Sequence, residues 1–308
     1  MKTHRFTLLI SALLVAASSL LSAATMNKDF DDHGKALINP MMGWFHEFYS
    51  DMAGMRFPVA DCEQLLNDFP GVSTVYMRFP WGALEPEEGK YNWSVIDWVA
   101  QQWIARGRKI ALRFITSATG EYRYATPKWV LDAGAKHIFI TNKPGGLETA
   151  EVHQDDPIFL EKLENFLKAA AERYDGNPHV AFIDVAFGTW GEGHTVITHK
   201  LSQEENMRQA EIHANMYRRL FPNTLLVISD DVVGPFEPGN DWPLMQRLRK
   251  MGITLRDDSI LILPSAPSWH GALAQHYWPT MPVIIEHQIL DISIRAKAWD
   301  SKIGRAHV

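Results

Sequence analysis

Two carboxylates stand where apolar runs give out. Glu192 lies in W-G-E-G-H-T, just after the run Val180 to Phe187, and Glu286 follows Val283 to Ile285 and precedes His287. Paired acids at strand ends suit glycosidic cleavage, in which one carboxyl protonates the leaving oxygen and the other attacks the anomeric carbon or activates water. Their separation would set the outcome, roughly 5 Å for retention and about 6.5–9.5 Å for inversion. Partial burial beside Trp190 is expected to raise the Glu192 pKa toward general-acid duty, whereas Glu286 is expected to stay ionised as nucleophile. Glu192 could instead be simply a polar residue at a strand exit, and Glu286 could pair with an arginine such as Arg78 or Arg113 to satisfy burial. A metal centre is the competing chemistry, because His46, His194, Asp230, Asp231 and His287 fall near the same ends. No pair among them has tight ligand spacing such as H-x-x-x-H, so the sequence assigns no metal and no cofactor.

Positioning such groups requires strands that open on one face. The patterning gives strands at Met42 to Tyr49 (carrying His46 and Glu47), Val72 to Phe79 (Arg78), Lys109 to Thr116 (Arg113), Val180 to Phe187, Thr224 to Ser229, Ile253 to Ile262 and Val283 to Ile285. Helical periodicity falls between them: Asp61 to Phe69, a segment capped by Ser94 and running to Arg106, Pro157 to Tyr174, Gln203 to Leu220, and Trp242 to Met251. Alternating β/α units imply a parallel sheet, and seven of them are closer to a (β/α)8 TIM barrel than to an open doubly wound sheet. Neither G-x-G-x-x-G nor G-x-x-x-x-G-K-[ST] follows a strand, which weighs against a nucleotide-binding fold. In a barrel His46, Arg78, Arg113, Glu192, Asp230 and Glu286 would share the C-terminal rim. Residues 117–154 read as a long loop with one short helix, a candidate groove wall. No eighth strand is legible before Val308, so the barrel is expected to lack its last strand, leaving unpaired edges.

The 308 residues carry a net charge of −6, and no basic stripe is available for a nucleic acid. Eleven Trp, many near Pro, Gly and acids, suit sugar-lining surfaces, although Trp also fills cores. Cys62 is the only cysteine, so no internal disulfide can form. The basic start M-K-T-H-R-F, the apolar run Thr7 to Leu21 and Ser22-Ala23-Ala24 have the layout of a secretory signal. The expectation is a signal over residues 1–24 and one barrel domain over 25–308, periplasmic or secreted, with no membrane anchor after cleavage. Nothing in the sequence speaks to oligomeric state.

The passage L-E-P-E-E-G-K-Y-N-W-S-V-I-D-W followed by A-R-G-R-K-I-A-L-R-F resembles the second-to-third strand region of the large retaining clan of TIM-barrel glycoside hydrolases. N-P-M-M-G-W and W-G-E-G-H-T resemble the DUF4832 and DUF4874 branch of barrel proteins. By this resemblance Glu192, ending strand four, takes the acid/base position, Glu286, ending strand seven, the nucleophile position, and Arg78 orients the nucleophile. His46, Glu47, Trp81, Arg113, Trp190, His194, Asp230 and His287 complete the expected substrate-binding set. Where the clan places Asn before its acid/base, this chain has Gly191. The resemblance implies an exported hydrolase of a neutral oligo- or polysaccharide; the alternative is a catalytically silent carbohydrate-binding barrel.

Overall fold

A computed structural model describes residues 43–48, 66–67, 71–118, 122–141, 143–233, 242–257 and 276–285. Seven of its strands form one sheet: β1 (Trp44–Phe48), β2 (Val72–Pro80), β3 (Lys109–Ile115), β6 (Val180–Asp184), β7 (Leu226–Ser229), β8 (Ile253–Asp257) and β9 (Ile284–Ile285). Each neighbouring pair is parallel and follows chain order, apart from the skip over two strands of a separate hairpin between β3 and β6. The sheet curls. Phe45 of β1 and Phe182 of β6 lie three strands apart, which in a flat sheet means about 14 Å at ~4.8 Å per strand. Their ring centroids are 5.7 Å apart, so the inner face closes on itself as a barrel does.

Alternation along the strands explains the two sides. Tyr76, Ala111, Phe182, Val227 and Ile284 fill the concave interior. Val75, Met77, Phe79, Leu112, Phe114, Ile183, Ile228 and Leu255 belong to the larger outer cluster shared with the helices. Those helices are α1 (Trp81–Leu84), α2 (Ser94–Ile104), α3 (Lys128–Asp132), α4 (Pro157–Tyr174), α5 (Thr195–Thr198), α6 (Gln203–Leu220) and α7 (Pro243–Lys250). Asp156 caps α4, its carboxylate accepting from the Ile158 and Phe159 amides at 3.0 Å, with Pro157 at the first turn. Ser202 and Glu205 form a reciprocal capping box on α6. Ser94 does not cap α2: it is the first helical residue, and its hydroxyl donates to Asn92 Oδ1. Among the described residues no helix is long and apolar enough to cross a membrane.

Three sequence expectations change. Residues 117–154 are not one loop: besides α3 they contain an antiparallel hairpin, β4 (His137–Thr141) with β5 (Glu148–Val152). Its Lys143-Pro144-Gly145-Gly146 turn, with Gly145 at φ +71°, was the available signal. Strand β6 stops at Asp184 rather than Phe187, so Glu192 does not end it directly. Trp81, expected at the substrate, is fully buried between sheet and helices, packed on Trp129, Phe159 and Phe166. The segment expected to be a signal, residues 1–24, together with Cys62, Glu286, His287 and everything after Ile285, lies outside the described residues.

Candidate active site

The inward column that is apolar low in the barrel turns ionic toward the strand ends. Arg78 pairs in register with Arg113, and Arg113 with Asp184. Asp184, Arg113 and Arg256 are all fully buried. Asp184 Oδ2 accepts from Arg113 Nε at 3.0 Å, from Arg256 Nε at 2.9 Å and from the Tyr76 hydroxyl. Two buried guanidiniums are tolerable only if compensated, and Asp184 supplies one of the charges that does so.

Glu192 supplies the second. After β6 the chain turns sharply: Gly188, Trp190, Gly191 and Gly193 all have positive φ, between +57° and +78°. Arg113 Nη1 donates to the Trp190 carbonyl at 2.9 Å, and the Trp190 amide donates to the Ser117 carbonyl at 2.8 Å, which holds Trp190 in its left-handed conformation. A Cβ on Gly191 would lie 2.9 Å from Ala186 Cβ and 3.0 Å from Arg113 Cδ. Thus the position that holds Asn in the clan has no room here for any side chain; glycine is what lets the turn close onto Arg113.

That closure delivers the carboxylate. Glu192 Oε1 accepts from Arg113 Nη1 at 2.7 Å, with Arg256 Nη2 3.9 Å away. On the other side His194 Nε2 is 3.4 Å from Glu192 Oε2 and 3.4 Å from Asp231 Oδ2. Only 12% of the Glu192 side chain is open to solvent. Burial pushes its carboxyl up, but His194, Arg113 and Arg256 together outweigh burial and hold it well below the usual carboxylate range. The expectation that burial would tune Glu192 upward therefore fails; the cationic neighbours decide. Trp190 meets His194 edge-on at 5.6 Å.

Of the other expected residues, Asp230 is buried immediately after β7, and Arg78 is buried beside Arg113. His46 stacks on Trp103 of α2 at 5.5 Å, on the helix side of the sheet, and burial lowers its pKa. It does not join the cluster. Glu47 pairs through its backbone with Tyr76. Tyr76, Asp184 and Arg256 were missed from sequence. Asp184 had a signal, as the lone charge inside an apolar run; Arg256, in the short T-L-R-D, had none.

The sequence profile of a glycoside hydrolase family described as beta-galactosidase matches residues 64–188, from before β2 to the turn after β6. Beta-galactosidase BbgII of Bifidobacterium bifidum is 30% identical over 107 residues, which are 33% of this chain and only 14% of that enzyme. Among solved structures, endo-glycoceramidase II from Rhodococcus sp. aligns over 90% of this chain and 71% of its own, at 16% identity and a TM-score of 0.52. The catalytic domain of beta-amylase from Paenibacillus polymyxa aligns over 80% and 86%, at 10% identity and the same TM-score of 0.52. The fold is that of the TIM barrel, with seven of its strands among the described residues.

Proposed function

We propose that the chain is an exported glycoside hydrolase that cleaves a neutral oligo- or polysaccharide by a two-carboxylate, retaining mechanism, with Glu192 as acid/base and Glu286 as nucleophile. The observation that carries this reading is the Glu192 carboxylate, fixed on one oxygen by Arg113 at 2.7 Å and still partly open to solvent at the C-terminal end of the parallel strands. Barrel enzymes gather their chemistry on that face. The beta-galactosidase profile over residues 64–188 favours a glycosidic bond as the target, and the net charge of −6 favours a neutral glycan. His194 Nε2, 3.4 Å from Glu192 Oε2, is the neighbouring group placed to exchange a proton with that carboxylate. Glu286 follows β9 directly in sequence. Export rests on the signal-like residues 1–24.

The same lock on Glu192 favours a second reading, a silent carbohydrate-binding barrel in which the carboxylate only accepts hydrogen bonds from sugar hydroxyls. A panel of aryl glycosides, galactosides first, assayed with wild type, Glu192→Gln and Glu286→Gln separates the two. The enzyme reading expects turnover of at least one substrate and a loss of about 10²–10⁴ in kcat for Glu192→Gln. Equal inactivity of all three proteins, with oligosaccharide binding retained, would give the assignment to the silent binder.

A further inference from the structure

We infer that Glu192, His194 and Asp231 form a binding site for a divalent transition cation of the zinc class. No spacing in the sequence suggests it, because the ligands come from the ends of two different strands, β6 and β7. The fold brings their three ligand atoms within 4.8 Å of one another. Ligands about 2.1 Å from a zinc ion and tetrahedrally arranged are about 3.4 Å apart, and both edges from His194 Nε2, to Glu192 and to Asp231, measure 3.4 Å. An imidazole with two carboxylates is a donor set zinc accepts, and Asp231 adds an anionic charge beyond the one Glu192 presents to the arginines.

The ligands are held in advance. Arg113 fixes Glu192 through Oε1, which leaves Oε2 on the His194 side. The Trp190 edge limits the His194 ring, and the Asp231 amide donates to Ser229 Oγ at 3.3 Å. Among the described residues Arg113 and Arg256 are the cations recorded near Glu192; both pair with Asp184, and both approach Glu192 through Oε1, the oxygen not facing His194. Side-chain exposures of 24% for His194 and 19% for Asp231 leave solvent access for a fourth ligand.

The cation site goes beyond the glycosidase reading. If that reading holds, metal on Oε2 takes the lone pair needed for proton transfer, so zinc inhibits. The test reads binding directly: calorimetric titration of zinc chloride into the full chain at neutral pH. Wild type is expected to bind one equivalent, and His194→Ala and Asp231→Asn each to weaken it by at least about 10–100-fold. His276→Ala, on the segment beside α7, is expected to bind as wild type does. Cobalt(II) should give the intense visible bands of a four-coordinate centre in wild type and lose them in His194→Ala, with circular dichroism confirming that each variant is folded. Unchanged zinc affinity in both ligand variants, or no binding by wild type, overturns the site. Zinc binding without turnover of any glycoside would defeat only the hydrolase reading.

Discussion

Two glutamates in this chain stand near a tryptophan, and their surroundings shift them in opposite directions. Glu85, in L-E-P-E-E-G, accepts from Trp81 Nε1 and from the Gly89 amide, both at 2.7 Å, and its carbonyl takes the Trp129 indole at 3.0 Å. It is 2% exposed. Burial raises its pKa, and the backbone and indole donors offset only part of that rise. Glu192, in W-G-E-G-H, is driven the other way by His194, Arg113 and Arg256 against the same burial effect. Neutral donors merely satisfy a buried carboxyl, whereas His194 and two guanidiniums from other strands favour its anion. Glu85 is therefore a strut between α1, the following turn and α3, and Glu192 is the group with chemistry to do. The motif most recognisable in sequence is structural, and the less recognisable one carries the candidate site.

The contrast is broken most severely by removing what neutralises the arginines. Asp184→Asn removes the carboxylate that both buried guanidiniums share, leaving Glu192 to face them, and should cost about 3–5 kcal/mol in urea unfolding; a loss under ~1 kcal/mol would mean that the ion cluster is not organised as described. Gly191→Ala forces a Cβ to within 3.0 Å of both Ala186 and Arg113 at φ +78°. It should cost about 1–3 kcal/mol and lower activity by displacing Glu192, whereas a neutral result would show that the turn has slack.

The sharpest contrast is in pH dependence. Glu192 titrates in the folded protein below its unfolded value of about 4.3, so below that pH the unfolded chain binds more protons. Its contribution is present above about 4.3 and fades as pH falls further. Glu85 titrates above its unfolded value, so the folded state holds more protons from about 4.3 upward, and its contribution is lost as pH rises through that window. Urea midpoints across acidic to neutral pH should therefore show the gap between wild type and Glu192→Gln widening with pH, and the gap to Glu85→Gln narrowing. Parallel slopes would erase the distinction.

Much of the architecture was legible because it is carried by local pattern. Pro157 after Asp156, Ser202 with Glu205 three residues on, and the apolar runs of β2, β3 and β6 each announce themselves within a few residues. The candidate site was only half legible. Glu192 and Trp190 stand out between glycines, but two of the partners that set the state of Glu192 arrive from β3 and β8, and curling of the sheet is what brings Arg256 to Asp184. Trp81 misled for the same reason: an indole in a loop-like motif reads as a sugar platform until α1 turns it into the core. Gly191, which stands where the clan places Asn, is the residue whose missing Cβ lets the turn close onto Arg113.

The most direct measurement sets Glu192→Gln beside Glu85→Gln on the aryl glycoside that wild type turns over best, with both variants checked for folding. A loss in kcat of about 10²–10⁴ for Glu192→Gln against a change within about threefold for Glu85→Gln is the predicted result. Comparable losses in the two variants, or full activity in Glu192→Gln, would contradict the assignment of Glu192 as the working carboxylate.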